Sequence, residues 1–412
     1  MQIKENFNIS VLSLIDQKFR SFRTMLGIIF GTASVIAMVS IGEGTKKQAI
    51  AKYQDLGVNN IIVRDKDLSE SELEEVRMKF SRGLSLRDAE VIREIVPGVV
   101  DIAPQSETKL EARCIDRSSR VTVIGITPSM MEMLNYNVEN GVFINDDHYD
   151  RELRVCILGA NAARELLGYD NPLGQNVKLG DQWFEVIGVL QPRALFTETV
   201  GELAARDLNN DVYIPLSTFH RRMPKEKRFE SELKQVTVKI GQSDQLMQSA
   251  SVIRSILNRH HFNNDDYSII IPYELLKQEE KERRIYNLLL ASIAAISLVV
   301  GGIGIMNIML ASVVERTREI GIRTAVGGKK SDIMSQFVTE AVVLSLSGGV
   351  VGVVLGISLS VVIGIISDIT TSITLYSVFI AFGFSAIVGI TFGYLPAKTA
   401  SNLSPIEALR HE

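Results

Sequence analysis

The chain has 412 residues, of which 22% are charged and 46% are hydrophobic, and its formal net charge is −4. Ample apolar surface excludes intrinsic disorder, and the near-neutral charge argues against a dedicated nucleic-acid-binding protein, which usually has a strongly basic face. The mean hydropathy of +0.15 in a chain with so many charges indicates that the charges are concentrated in some segments and missing from others.

Four windows contain no charged residue. They are residues 25–41, 285–314, 341–367 and 369–397. A helix needs about 20 mostly apolar residues to cross the hydrocarbon core of a membrane, so we predict four transmembrane helices. The short first window is also compatible with a signal peptide, although the amphipathic stretch before it does not resemble the short basic leader of one.

The basic residues of the short loops predict the orientation. They precede the first helix, occupy the loop 315–336 and follow the fourth helix, whereas the link around 367–374 has none. We therefore expect both termini and the loop 315–336 to be cytoplasmic, and the hydrophilic segment 46–283, with 32 Lys and Arg against 38 Asp and Glu, to be extracytoplasmic. Lys281, Arg283 and Arg284 are basic residues on the predicted outer side, next to transmembrane helix 2, and so do not follow this rule. Large domains, however, translocate largely regardless of charge.

The fold predicted for the chain is an α-helical membrane protein with four transmembrane helices and a large α+β extracytoplasmic domain. Its segments are a cytoplasmic amphipathic helix at 1–23, transmembrane helix 1 at 24–45, the extracytoplasmic domain at 46–283, transmembrane helix 2 at 284–314, a cytoplasmic segment at 315–336, transmembrane helix 3 at 337–367, transmembrane helix 4 at 374–395 and a cytoplasmic tail at 396–412. Apolar residues of the first segment recur at steps of three and four. It is expected either to lie in the membrane interface or to pack on the helix bundle.

Short β-like runs alternate with helical patterns in the extracytoplasmic segment. The predicted strands are 60–64, 121–126, 155–159, 184–190, 212–216, 235–240 and 268–271, and the predicted helices are 86–95, 161–167 and 244–260. Pro104 and the charged segment 224–228 look like boundaries, so we predict an inserted subdomain at about 106–230. The charged helix 277–284 leads into transmembrane helix 2. It is expected to be a solvated face or a rigid stalk, and the two roles are compatible.

Small residues recur at every fourth position of transmembrane helix 3. They are Gly348, Gly352, Gly356, Ser360 and Gly364. This spacing places them on one helical face, where another backbone can approach closely. We predict a helix-packing face. Its partner helix can belong to this chain or to another one.

Several kinds of catalytic site are unsupported by the sequence. Gly327–Ser331 is the nearest approach to a phosphate-binding GxxxxGK[ST] loop, but Arg323 stands in the position of its first glycine and Lys330 in that of its Ser/Thr. The five histidines form no HExxH motif, and adjacent His260 and His261 are expected to point in different directions on a helix, so no metal site is predicted. Cys114 and Cys156 are either a disulfide or two buried thiols.

The loop after transmembrane helix 2 is a short amphipathic element with a dense set of charges. Ile320, Ala325 and Val326 are expected to be buried, while the charges face the cytoplasm. The element is either a docking site for a soluble partner or merely a positively charged cytoplasmic loop.

The chain resembles MacB-type ABC transporter permeases over essentially its whole length. The resemblance is carried by TMLGIIFGTASVIAMVSIGEG from Thr24, LGANAARELLG from Leu158, NPLGQNVKLG from Asn171, VYIPLSTF from Val212, VVGGIGIMNIMLASVVERTREIGIRTAVGG from Val299 and GYLPAKTASNLSPIEALRHE from Gly393. Two departures are the lack of the N-terminal ATPase domain that MacB carries and Gly328, where alanine is usual.

The resemblance implies porter and sabre subdomains in the extracytoplasmic domain and a multi-pass protein of the bacterial inner membrane. It implies no catalysis and no cofactor in this chain, because a partner ABC ATPase in two copies binds ATP and Mg. Further implied partners are a second copy of this permease, a periplasmic adaptor and an outer-membrane channel where that membrane exists. Carried over to this sequence, the ATPase-coupling residues are Glu315, Arg316, Arg318, Glu319 and Arg323.

The expected function is mechanotransmission, in which ATP binding and hydrolysis change the extracytoplasmic domains and drive efflux without passage of substrate between the membrane helices. Two alternatives from the same family remain. One is an FtsX-like signalling permease that activates a cell-wall hydrolase, and the other is a LolC-like permease that extracts lipoproteins.

Overall fold

The structure, a computed structural model, describes residues 18–55, 57–134, 136–168, 171–193, 207–224, 230–367, 371–405 and 408. Residues 1–17, which hold most of the predicted amphipathic helix, lie outside them. The chain divides into two compact units, one of Met1–Ala49 with Glu279–Glu412 and one of Ile50–Gln278. We call them the membrane unit and the extracytoplasmic unit, and their boundaries fall a few residues inside the predicted limits of 46 and 283.

Within the described residues, the α-helices are either long and apolar or short. In chain order they are α1 Lys18–Asp55, α2 Glu70–Met78, α3 Leu86–Ile95, α4 Met130–Met133, α5 Asp146–Asp150, α6 Ala160–Leu167, α7 Leu216–Arg222, α8 Leu246–His260, α9 Pro272–Glu315, α10 Thr317–Ala325, α11 Lys330–Ser367 and α12 Leu375–Ser401.

Four of these helices are long and apolar enough to cross a membrane, as predicted. The candidate spans are Met25–Ile50, Pro272–Glu315, Lys330–Ile366 and Leu375–Ser401. With 44 residues, α9 is about 66 Å long at 1.5 Å per residue, about twice the thickness of a hydrocarbon core. The predicted limits of 284–314 therefore cover only the apolar part of one continuous helix.

The strands of the extracytoplasmic unit form one sheet. They are β1 Asn60–Asp65, β2 Val99–Cys114, β3 Arg117–Ile126, β4 Val138–Gly141, β5 Val155–Leu158, β6 Asn176–Leu179, β7 Gln182–Leu190, β8 Asp211–Pro215, β9 Gln235–Ile240 and β10 Tyr267–Ile270. Their order is β10-β1-β9-β2-β3-β8-β5-β7-β4, with β6 paired to β2 and β7.

The long strand β2 belongs to both halves of this sheet. Its first part, Val99 to Gln105, pairs with β9, and its second part, Ser106 to Cys114, pairs with β3. The change of partner falls beside the predicted start of the inserted subdomain. One core forms under β1 and β9 with α3 and α8, and separate cores form around β5, β7 and β8.

Local patterns predicted most of these strands, but they missed β4, β6 and the whole of β2. Pro104, the predicted boundary of the inserted subdomain, lies within β2 opposite Val236. Proline lacks the backbone N–H that a ladder needs, so it is tolerated only at the edge of a sheet. Within the described residues, β2 has only β9 beside it at this point, so the strand is locally an edge strand there.

Both cysteines are buried free thiols, which decides between the two expectations for Cys114 and Cys156. Burial raises the pKa of the Cys156 thiol, so it stays protonated and unreactive at neutral pH.

Candidate functional site

The predicted coupling segment folds as a short helix between two long ones. The N-cap of α10 is Arg316, directly after the last residue of α9, and its C-cap is Val326. Gly327 then takes a positive φ of 101°, and the Gly328 N–H donates to the Arg323 carbonyl at 2.9 Å. This is the usual glycine-terminated helix end, so the Gly-Gly pair ends α10 and lets the chain turn into α11.

One face of α10 is anchored to α11. Ile320 is only 4% exposed and packs in one cluster with Ile333 and Phe337 of α11. Arg316 Nη1 donates to Glu340 Oε2 at 3.3 Å, and Arg323 Nη1 donates to Gln336 Oε1 at 2.7 Å. Apolar burial between two polar contacts fixes the position of α10 on the membrane helix.

The predicted coupling residues therefore fall into two groups. Arg316 and Arg323 contact α11 directly. Glu319 is linked to this side through Arg323, because its Oε1 lies 2.6 Å from Arg323 Nη2. Glu315 and Arg318 are exposed. Their assignment to ATPase coupling stays a prediction.

The expected burial of Ala325 and Val326 is wrong. Both are exposed, Val326 to 85%. Because a helix turns about 100° per residue, positions five and six residues after Ile320 point away from the face that Ile320 occupies. Together with Ile322, which is 47% exposed, they give α10 an outer face that is partly apolar.

Sequence reasoning missed Glu340, the buried partner of Arg316. Glu340 as a whole residue is only 7% exposed. It lies directly before the uncharged window of α11. A charge at the edge of an apolar window is expensive and usually paired. The position of Glu340 therefore indicates that this carboxylate needs a partner. The sequence does not identify Arg316 as that partner, because the two residues are 24 positions apart.

The small-residue face of α11 packs against α1 of the same chain. A Cβ built on Gly352 would lie 2.8 Å from the Ile29 carbonyl oxygen, and one on Gly356 would lie 2.9 Å from the Ala33 carbonyl oxygen. A Cβ on Gly348 would meet Ile28 at an ordinary 3.4 Å. Close approach of the two backbones therefore requires glycine at the middle of the face.

The last two members of the predicted face contribute less to this contact. Ser360 is fully buried, and its hydroxyl donates to the Gly356 carbonyl of its own helix at 2.7 Å. Gly364 is half-buried. Two further close contacts were not predicted: a Cβ on Gly27 of α1 would lie 2.4 Å from Gly301 Cα of α9, and Ser385 of α12 donates to the Ser345 carbonyl of α11 at 2.5 Å.

A buried charge network lies in the extracytoplasmic unit, at the end of α8. His260 Nδ1 lies 2.7 Å from Asp88 Oδ1, and His261 Nδ1 lies 2.7 Å from Asp266 Oδ1. His261 Nε2 lies 3.6 Å from Asp88 Oδ2, which is an ionic contact longer than a hydrogen bond. The expectation that the two histidines point in different directions is wrong. Because α8 ends at His260, His261 turns towards the Asp88 carboxylate that His260 also contacts.

His261 and Asp88 are both charged at neutral pH. Burial alone would lower the pKa of His261, but Asp266 and Asp88 outweigh it and raise that pKa to about 9. Burial alone would raise the pKa of Asp88, but His261, Ser85 and His260 together lower it to about 2. Within the described residues, no group of three or more His, Cys, Asp or Glu side chains could hold a metal ion, so the arrangement is an ion pair that joins α3 to α8.

Comparison with known proteins identifies the family. The MacB-like periplasmic core domain matches residues 21–256, and the FtsX-like permease C-terminal domain matches residues 291–405. The chain therefore belongs to the MacB-type family of FtsX-like ABC transporter permeases. As a member it is a multi-pass membrane protein.

Individual relatives are similar over nearly the whole chain. The macrolide export ATP-binding/permease protein MacB of Bdellovibrio bacteriovorus is 32% identical over 97% of this chain, which spans 60% of that relative. The ABC transporter permease YknZ of Bacillus subtilis is 32% identical over 100% of both chains. Among solved structures, the periplasmic region of MacB from Actinobacillus actinomycetemcomitans has a TM-score of 0.44 at 18% identity, covering 57% of this chain and 98% of that one.

We predict that Gly352→Ala destabilises the membrane unit by about 1–3 kcal/mol, because the new methyl group overpacks the contact with the α1 backbone. The control is Gly383→Ala in α12, where a Cβ would meet nothing within 4 Å and the change should be neutral or slightly stabilising. Thermal unfolding of the detergent-purified chain measures both. Equal unfolding temperatures for the two variants would contradict the packing argument.

The anchor of α10 gives a second prediction. Arg316→Ala leaves the buried Glu340 carboxylate without its cation and should cost about 3 kcal/mol. Glu340→Gln removes the buried charge and keeps an acceptor for Arg316, so it should cost clearly less. Arg318→Ala, on the exposed face, should leave the unfolding temperature unchanged. A larger loss for Glu340→Gln than for Arg316→Ala would show that this pair does not anchor the helix.

The pKa values predict how the stability of the extracytoplasmic unit depends on pH. The pKa of His261 is higher in the folded state, so its stabilisation is complete below the ordinary value of 6.5 and is lost as the pH rises towards 9. The pKa of Asp88 is lower in the folded state, so its stabilisation is lost as the pH falls from 3.8 towards 2. In thermal unfolding scans, the unfolding temperature of His261→Gln should fall less between pH 6.5 and 9 than that of the unchanged chain. The control His148→Gln should show the full decrease.

Proposed function

We propose that the chain is the permease subunit of a MacB-like exporter, which converts ATP binding and hydrolysis by its ABC ATPase into a conformational change of the extracytoplasmic unit that drives efflux. The observation that carries the proposal is α10. It is a short charged helix, anchored on one face to a membrane helix and exposed on the other. A soluble partner could bind the exposed face and move the membrane helix through the anchored one.

The contacts of α10 favour transmission over local bending. A force on the exposed face of α10 would reach α11 through Ile320 and the pairs at Glu340 and Gln336. It would continue into α1, because the glycine face of α11 leaves no space between the two backbones. Packed helices move as units because interiors are close-packed, so this route supports the coupling assignment of Glu315, Arg316, Arg318, Glu319 and Arg323.

The membrane windows support mechanotransmission over passage of substrate between the helices. The windows 285–314 and 341–367 contain no charged residue, whereas ion and polar-substrate pathways usually carry intramembrane charges. In the proposed cycle, two ATPase subunits that bind ATP and Mg dock on the cytoplasmic side of a permease homodimer. Both termini and α10 would be cytoplasmic, and a periplasmic adaptor with an outer-membrane channel would complete the export path.

We predict that Glu315→Ala combined with Arg318→Ala preserves membrane insertion and thermal stability, because both side chains are exposed. The same change should lower permease-stimulated ATP hydrolysis about tenfold, which corresponds to a coupling free energy of roughly 1.4 kcal/mol. Hydrolysis and transport are measured with the ATPase and permease reconstituted together in liposomes.

The matched control is Arg120→Ala combined with Glu132→Ala, which removes the same two charge types from exposed positions of the extracytoplasmic unit and should leave hydrolysis unchanged. Full stimulation by the Glu315 and Arg318 variant would refute the coupling role. Affinity purification of the native complex tests the export role separately. Recovery of a cell-wall hydrolase in place of an adaptor would refute efflux and favour signalling.

A further inference from the structure

A cleft of about 910 Å³ opens in the extracytoplasmic unit, between the ends of α2 and α8 and the middle of β2. Its volume lies within the range of small-molecule sites, about 300–1,000 Å³. Its wall combines the exposed rings of Phe80 and Phe262 with several arginines, among them Arg82, Arg87 and Arg259. Neither the coupling helix nor the glycine face has any part in it.

The acidic side chains of the wall already have partners. Glu107 pairs with Arg64 at 2.9 Å, and Glu230 pairs with Lys234 at 3.2 Å. Asp88 is held by His260, and the Glu232 carboxylate accepts the backbone N–H of Leu86 at 3.2 Å. Each of these carboxylates therefore has a hydrogen-bond or ion-pair partner within the protein.

The arginines differ from these acids. Arg82, Arg87 and Arg259 are exposed and make no ion pair with any residue that the structure describes. Burial and the neighbouring charge of Arg82 lower the pKa of Arg77, which also lines the cleft. Cations thus repel one another within the cleft, and an anion entering it would relieve that repulsion and could accept paired hydrogen bonds from the guanidinium groups.

The two rings stand at unusual backbone positions. Phe80 is 76% exposed and Phe262 is 61% exposed, and their centroids lie 6.0 Å apart. Phe80 has a φ of 68° and Phe262 a φ of 54°. In this left-handed region a side chain collides with its own backbone, so glycine is the usual residue.

Both rings occupy the same position of the same helix-ending motif. After α2, Ser81 N–H donates to the Val76 carbonyl, and after α8, Asn263 N–H donates to the Asn258 carbonyl. These bonds place Phe80 and Phe262 at the residue that is most often glycine in such motifs. The protein therefore holds two strained aromatic residues side by side in water, where they bury little of their own surface. Backbone strain of this kind concentrates at binding sites.

We propose that this cleft binds a small amphipathic anion, whose apolar aromatic or alkyl part contacts Phe80 and Phe262 while its carboxylate, sulfate or phosphate group contacts Arg82, Arg87 and Arg259. The inference goes beyond the proposed function, because such binding needs neither the ATPase nor transport. It can therefore fail or hold independently of the exporter assignment.

The first test measures binding of 2-naphthyl phosphate to the full chain in lipid nanodiscs by isothermal titration calorimetry. We expect saturable binding to one site per chain, with weaker binding of 2-naphthol, which lacks the anion, and of inorganic phosphate, which lacks the ring. Arg87→Gln and Arg259→Gln should each lower the affinity about tenfold, as expected for loss of a charged hydrogen bond. Arg254→Gln, on α8 but outside the cleft, should leave it unchanged.

The second test separates binding from folding. Phe80→Gly and Phe262→Gly should each weaken binding about threefold to tenfold, as expected for loss of one aromatic contact. Their thermal unfolding midpoints should be unchanged or raised, because glycine relieves the left-handed strain. The control is Ile115→Gly, which relieves the same strain at φ 51° in the turn between β2 and β3 and should not alter binding.

Four results would overturn the proposal. Three concern binding: the absence of saturable 2-naphthyl phosphate binding, equal affinity for inorganic phosphate, and affinities that the arginine substitutions leave unaltered. The fourth is a clear fall in the unfolding midpoint of both phenylalanine variants, which would show that the rings serve the fold.

Discussion

Close contact between helix backbones at glycine is the constraint on which the membrane unit depends. Lipid tails are as apolar as the side chains that face them, so helices in a membrane associate through packing and not through the hydrophobic effect. A Cβ on Gly27 would lie 2.4 Å from Gly301, and one on Gly352 would lie 2.8 Å from the Ile29 carbonyl oxygen. Because α9 and α11 each meet α1 in this way, a displacement of one helix cannot be absorbed by empty space.

The short helix α10 gains its importance from that rigidity. Ile320 is buried against α11, and the Arg316 and Glu340 pair holds the beginning of α10 in place. A buried ion pair contributes little net stability, but it is costly to break on one side only. Such a pair fixes the position of α10, and this is the property that transmission of force from an ATPase would need.

The extracytoplasmic unit holds a network of paired charges beside a cleft whose three exposed arginines make no ion pair with any described residue. In the network, His261 lies between the carboxylates of Asp88 and Asp266 and joins the end of α8 to α3. A short distance along the chain from it, Phe80 and Phe262 adopt left-handed backbone conformations, although their exposed rings bury little apolar surface. Backbone strain of this kind is concentrated at functional sites.

The sequence by itself determined the membrane architecture and several element bounds. Windows without charge predicted four helices because hydrocarbon excludes charge, and local periodicity gave α3 and β9 with the limits that the structure has. Periodicity reports only on neighbours along the chain, so β2, with Pro104 inside it, was missed. Only the tertiary structure decided that α1 covers the glycine face of α11, that Glu340 holds Arg316, and that His260 reaches Asp88 across 172 residues. These contacts depend on how distant segments meet, which no local pattern records.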